Sequence, residues 1–449
     1  MAPLPLFDRK DFPPGFTFGA ATSAYQIEGS GFGSAGVSHW DSFAQGPGNV
    51  IRGENGARAC DHFHRWAEDL DLVAGAGCSA YRFSLNWSRV QPDGRKTDPA
   101  GADFYDRLVD GMLARGIQPS ATLYHWDLPS ALAMRGGWCN PDIAWWFAEY
   151  AQAVQARIGD RLQSLATINE PWCVAWLSHY LGHHAPGLRD IRAAGHAMHN
   201  ILAAHGHALS SLRAAGCRNA GIVLNFEPMF PLTDAADDHA ATERSDAIFN
   251  RWFAEAITRG RYPEPAMDGL EPHLPTGWAR DMPAISGKLD WLGVNYYTRS
   301  FHSAAPGLPW PHVATHSANP ASPAATTDMG WDIYPRGLEE TLLRVSRDLA
   351  PGLPLVVTEN GAAFDDKMQN GRIDDADRIA FLADHLAATR RAIDAGVDVR
   401  GYYFWSLLDN FEWAMGFDKR FGLVHVDRES MKRTPKASYH ALKSALIQE

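Results

Sequence analysis

At 449 residues the chain is long enough for two or three average domains or for one large α/β barrel, and 45% hydrophobic against 21% charged residues is the composition of a protein with a sizeable core. Acidic side chains outnumber basic ones 52 to 41, giving a net charge of −11 with no basic run, which argues against a general nucleic-acid or anionic-membrane partner. No apolar stretch approaches the roughly 18 residues of a membrane span, and the opening "MAPLPLFDRKDFPPGF" carries prolines and charges where a secretory leader needs an apolar centre.

Taken in chain order, short β-rich runs recur along the whole length. They are "FTFGAATSAYQ" (16–26), "AYRFSLNW" (80–87), "PSATLYHW" (119–126), "SLATINE" (164–170), "GIVLNFE" (221–227), "LDWLGVNYYT" (289–298), "LPLVVTEN" (353–360) and "VRGYYFWSLLD" (399–409). Between them lie stretches of helical periodicity such as 59–77, 100–116 and 376–396, each ending in the glycine expected to stop a helix. Eight strands alternating with helices predict a single-domain (β/α)8 barrel over residues 1–449, with a doubly wound sheet as the runner-up. The strand endings favour the barrel. Nearly every run closes on polar or aromatic residues: Gln26, Asn86, His125–Trp126, Asn169–Glu170, Asn225, Asn295–Tyr297, Glu359–Asn360 and Trp405. A parallel barrel gathers all such ends on one face. The irregular stretches 29–57 and 301–330 then become long loops on that face, as flexible lids or solvated insertions.

Several chemistries compete. Gly31 to Gly36 spells a formal GxGxxG, but the following "VSHWDSF" shows little helical character, so a glycine-rich loop is favoured over a dinucleotide site. His179, His183 and His184 cluster without an HExxH or a zinc spacing, which predicts no metal. There is no GxSxG elbow. Cys60, Cys78, Cys139, Cys173 and Cys217 are odd in number, widely spaced and without CxxC, as expected for reduced thiols in a cytoplasmic protein. "NWS" at 86–88 matches a glycosylation acceptor and is discounted for want of a leader. Sixteen tryptophans fit either a large aromatic core or sugar-stacking surfaces.

Glu170 and Glu359 stand out. Each ends an apolar run beside an asparagine, in "INEP" and "TENG", on what should be strands four and seven. Two carboxyls facing each other across a pocket are what cleavage of a glycosidic bond requires: one protonates the leaving oxygen while the other attacks or activates water.

At these residues the chain resembles glycoside hydrolase family 1, the retaining β-glucosidases and β-galactosidases. The resemblance runs from "FPPGFTFGAATSAYQIEG" through "YRFSLNWSRVQP", "TLYHWDLP", "TINEPW", "HAPG", "LGVNYYT", "VTENGAA" and "GYYFWSLLDNFEWAMGFDKRFGL" to "RTPKASYHAL". It implies the (β/α)8 fold, Glu170 as acid/base and Glu359 as nucleophile. It further implies Asn169 on the sugar 2-hydroxyl, with Tyr297 and Arg82 beside the nucleophile. The sugar pocket would comprise Gln26, His125, Trp126, Asn295, Glu412 and Trp413 with Trp405 as its floor. Trp331 would lie on the aglycone side, with Trp172, Cys173, Leu177, His184 and Phe421 bordering the site. Members acting on 6-phosphorylated sugars replace the "NFEW" glutamate, and plant thioglucosidases replace the acid/base; this chain keeps Glu412 and Glu170. The resemblance therefore implies a retaining exo-β-glucosidase with side activity on β-galactosides or β-fucosides, needing no cofactor. Its partners would be small-molecule β-glycosides such as aryl glucosides and cello-oligosaccharides, with no nucleic acid or membrane, and a homo-oligomer stays open. A β-galactosidase, a transglycosidase and a non-catalytic carbohydrate-binding barrel remain as alternatives.

Overall fold

A computed structural model describes residues 6–447; residues 1–5 of the predicted leaderless start lie outside the described residues. Eight strands close into a barrel: β1 (Thr17–Ala21), β2 (Ala80–Ser84), β3 (Gln118–Tyr124), β4 (Ser164–Asn169), β5 (Ala220–Asn225), β6 (Trp291–Asn295), β7 (Leu355–Asn360) and β8 (Val399–Trp405). Every one falls within or overlaps a run read from the sequence. All barrel pairings are parallel and join sequence neighbours, and β1 closes on β8 with Thr17 opposite Gly401 and Ala21 opposite Trp405. The runner-up, an open doubly wound sheet, is excluded by that closure.

Helices pack outside the barrel after each strand: α1 (His62–Gly75), α2 (Pro99–Leu113), α3 (Ile143–Ile158), α4 (Ile191–Ala214), α5 (Trp252–Arg259), α6 (Pro335–Arg344), α7 (Ala376–Asp394) and α8 (Ala437–Leu446). The stop signals work as their chemistry demands. Gly77, Gly116 and Gly396 follow α1, α2 and α7 at φ of 80°, 70° and 95°, a left-handed conformation that costs glycine nothing. The strands are buried along most of their length, as parallel strands covered on the outside by helices must be.

Three local expectations need correction. The segment after the GxGxxG contains a helix, His39–Ala44, held by a capping box in which Ser38 and Asp41 satisfy each other's backbone N–H groups. No strand-to-helix turn precedes it at the glycines. The loop's Phe32 and Gly29 carbonyls instead accept from the Arg89 guanidinium at 2.8 and 3.0 Å, so the glycine-rich turn wraps an arginine. The stretch 301–330 is also more ordered than expected. Ser300–Ala304 pairs with Met229–Pro231 and with Val313–His316 in a small three-stranded sheet. Finally, Asn86 does not serve the mouth of the barrel: its side chain accepts from the Arg89 N–H at 2.9 Å and caps the short helix Trp87–Val90.

Candidate active site

Because the strands are parallel, their C-terminal ends share one rim, and a cavity of about 950 Å³ opens there. Its lining includes His125, Trp126, Glu170, Trp172, Cys173, Leu177, His184, Asn295, Tyr297, Trp331, Glu359, Trp405, Glu412, Trp413 and Phe421. Three further predicted residues, Gln26, Arg82 and Asn169, are buried in the layer that supports it.

Glu170 stands one residue beyond β4. Its own φ is +48°, in the left-handed region, and its carbonyl accepts from the Cys173 N–H at 3.0 Å, which begins a helical segment. Pro171 therefore opens that helix, where its missing N–H costs nothing, rather than merely ending the strand. A π-helical turn over Cys173–Leu177 then aims Trp172, Cys173 and Leu177 at the cavity wall. Trp126 and Trp413, at φ of +78° and +54°, are likewise left-handed, so three residues of the site are held in backbone conformations that side chains rarely adopt.

The two carboxyls sit in contrasting surroundings. Glu359, on β7, receives the Arg82 guanidinium from β2 at 2.6 Å on one oxygen and the Tyr297 hydroxyl at 2.6 Å on the other. Glu170 receives only neutral donors, the Asn295 amide at 2.8 Å and the Cys173 thiol at 3.2 Å. Burial, and next the charge of Glu359, push the Glu170 carboxyl up to about 8. Burial, and then the same neighbour, hold the Tyr297 hydroxyl protonated well beyond its usual range, so it remains a donor. Gly361 of "TENG" has a steric role: a Cβ there would fall 1.7 Å from the Trp405 carbonyl oxygen, so only glycine lets the chain after Glu359 pass the end of β8.

Asn169 connects the pair. Its side-chain oxygen accepts from Arg82 at 2.7 Å and Asn295 at 3.1 Å, its amide meets His125 Nε2 at 3.2 Å, and its carbonyl accepts from the Trp126 indole at 2.9 Å. Asn295 is itself oriented by the Thr358 hydroxyl, which donates to it at 2.7 Å. Burial, followed by Arg82, keeps His125 neutral, and burial chiefly drives His184 down to about 3. These two serve as hydrogen-bonding or packing groups, and among the described residues no set of three or more His, Cys, Asp or Glu could hold a metal ion.

The remaining walls are aromatic. His125 stacks with Trp405 at 5.8 Å and 14°, Trp126 lies 4.7 Å from Trp413, and Tyr297 lies 5.7 Å from Trp331 between ring centres. Gln26 is on the short helix Ala24–Ile27 rather than on the first strand. Its amide donates to the Asn410 side-chain oxygen and the Phe411 carbonyl at 2.9 Å each and to Glu412 at 3.3 Å, so a fully buried Gln26 braces Glu412, which lines the pocket. Burial, then the charges of Glu359 and Glu170, push the Glu412 carboxyl up to about 8. As a neutral acid it can donate a hydrogen bond as well as accept one.

Several lining residues escaped the sequence reading. Glu227 follows β5, whose last residue Asn225 lines the cavity as its strand-end position foretold, Phe249 packs on Trp172 at 4.3 Å, and Asn49 to Arg52 reach the rim from the first long loop. Glu227 had a usable signal, because "NFEP" repeats the strand-end asparagine, glutamate and proline of "INEP".

A proton donor held neutral beside an ionic partner, under tryptophan walls at a barrel's mouth, suits cleavage of glycosidic bonds, and the chain is a glycoside hydrolase. Comparison with known proteins narrows this: the sequence profile of glycosyl hydrolase family 1 matches residues 8–448, and the chain belongs to that family. It is 46% identical to a β-glucosidase of Agrobacterium sp. (strain ATCC 21400) over 441 residues, covering 96% of this chain and 95% of the relative. It is 42% identical to a bifunctional β-D-glucosidase/β-D-fucosidase of Bifidobacterium breve, covering 95% and 96%. The solved family 1 β-glucosidase of Thermotoga maritima superposes with a TM-score of 0.93 at 41% identity, covering 97% of this chain and 98% of that one.

Proposed function

We propose that the chain, as one catalytic unit, is a retaining exo-β-glucosidase that removes terminal β-D-glucosyl units from aryl glucosides and short oligosaccharides. The observation that carries the assignment of roles is the asymmetry between the two carboxyls: an arginine and a tyrosine clamp Glu359, while neutral donors leave Glu170 protonated up to about pH 8. In the first step a Glu359 oxygen bonds to the anomeric carbon as the glycosidic C–O bond breaks, and Glu170 delivers its proton to the departing oxygen. Glu359 is then an ester without charge. The neighbour that helped raise the Glu170 pKa has gone, and Glu170 becomes a base. It takes a proton from water as the water oxygen bonds to the anomeric carbon and Glu359 leaves as a carboxylate.

In this reading Asn169, oriented by Arg82 and Asn295, holds the 2-hydroxyl, while Gln26 and Glu412 recognise neighbouring hydroxyls and Trp405 underlies the ring. Activity on β-fucosides as well is favoured by the bifunctional relative. Five free cysteines agree with a reducing, cytoplasmic location.

The test is a slow-releasing 2-fluoro β-glucoside followed by intact-protein mass spectrometry and peptide mapping. One glycosyl unit on Glu359 is expected, and a label on any other residue overturns the assignment. A second expectation concerns pH. The free enzyme needs Glu170 protonated, so kcat/KM should fall as pH rises through about 8, with the proton lost from Glu170. Measuring kcat/KM on an aryl β-glucoside from pH 5 to 10 checks this, and a basic limb centred below pH 7 contradicts it.

A further inference from the structure

Cys173 stands one helical turn beyond Glu170, with its N–H donating to the Glu170 carbonyl at 3.0 Å, and at that spacing the two side chains are neighbours. The thiol meets Glu170 Oε2 at 3.2 Å, and the Asn225 amide, at the end of β5, donates to the sulfur at 3.9 Å. A sulfur lone pair thus faces Asn225 while the S–H faces the carboxyl. Burial, and next Glu170, hold the thiol well above its ordinary range, so it stays protonated and donates.

The other oxygen of Glu170 has a fixed partner. The side-chain oxygen of Asn295 accepts from the Thr358 hydroxyl, which leaves the Asn295 amide to donate to Glu170 Oε1 at 2.8 Å. An amide N–H accepts nothing, so the neutral acid keeps its proton on Oε2, the oxygen beside the thiol.

We propose that Cys173 is a positioning residue for the reaction: its S–H, turned by Asn225, engages one lone pair of Oε2 and leaves the proton on that oxygen to point into the pocket. The same bond strengthens when Glu170 becomes a carboxylate in the second step, because a charged acceptor binds a donor more tightly. The thiol therefore aims Glu170 as an acid and steadies it as a base, and the sulfur forms no covalent bond. This role rests on the reading of Glu170 as the acid/base. Other titratable groups face Glu170 and Cys173 from the surrounding elements: Glu359 on β7, Arg82 on β2, Tyr297 beyond β6, Glu412 beyond β8 and Glu227 beyond β5. All of them stay in place when the thiol is exchanged.

The experiment measures kcat/KM on phenyl β-glucoside, whose leaving oxygen needs a proton, from pH 5 to 10 in the wild type, Cys173→Ala and Cys173→Ser. Losing a donor makes the carboxylate harder to reach, so Glu170 keeps its proton to higher pH. The basic limb of Cys173→Ala should move up by about half a pH unit, the scale of one weak hydrogen bond. Serine restores a donor, and the midpoint of Cys173→Ser should return to the wild-type value or fall below it. A side chain that only fills space would alter KM or the melting temperature and move neither midpoint. The midpoint does not depend on how much of a preparation is folded. An alanine midpoint at or below that of the wild type, or alanine and serine variants that coincide, would overturn the proposal. Full activity of Glu170→Ala on phenyl β-glucoside would instead remove the acid/base reading, and this inference with it.

Discussion

Glu359→Gln will leave no more than about one part in 10⁴ of the wild-type turnover, on good and poor leaving groups alike, because an amide cannot form the covalent ester through which both steps pass. Leaving-group chemistry offers no escape, since activating the departing oxygen does not supply a nucleophile. The variant also leaves the Arg82 guanidinium, 2% exposed, without its anionic partner. Uncompensated buried charge is destabilising, so a lowered melting temperature should accompany the loss of activity. Steady-state rates on 2,4-dinitrophenyl β-glucoside and a thermal melt check both. Turnover within tenfold of wild type would show that Glu359 is not the nucleophile.

Glu170→Ala should behave differently, and the difference is diagnostic. On cellobiose, whose leaving alkoxide needs a proton, kcat/KM should fall by roughly 10²–10⁴, the usual contribution of a general acid. On 2,4-dinitrophenyl β-glucoside the first step needs no acid, so a rapid burst of about one equivalent should precede slow turnover, because water then lacks its base. Azide needs no base and fits the space the carboxyl vacates beside Asn295 and Cys173. It should restore turnover and give a glucosyl azide of β configuration. Absence of rescue, or an α product, would refute the acid/base role.

The barrel and the carboxyl pair were legible because parallel buried strands write themselves as separate apolar runs, and because each glutamate follows such a run beside an asparagine. The misread parts had other causes. Gln26 follows its strand by a helical turn, which no alternation pattern reveals. The helix His39–Ala44 is too short for a periodicity, although its Ser-x-x-Asp capping pair was visible. The strands Ser300–Ala304 and Val313–His316 are five and four residues long, lie among prolines and glycines, and the first of them pairs with Met229–Pro231 some seventy residues earlier, so local propensity had little to act on. Contacts such as Arg82 with Asn169 follow from closure of the barrel rather than from any local signal.

The way the ring closes bears on how the protein comes to life. The first strand is completed by the last, Gln26 meets Asn410 across 384 residues of chain, and Arg82 meets Glu359 across 277. A nascent fragment that ends before β8 carries both carboxyls, but it lacks the strand that closes the ring and the Trp405, Glu412 and Trp413 walls of the pocket. Recovery of glucosidase activity after dilution from denaturant would therefore time the last event of assembly, arriving after the helices have regained their circular dichroism.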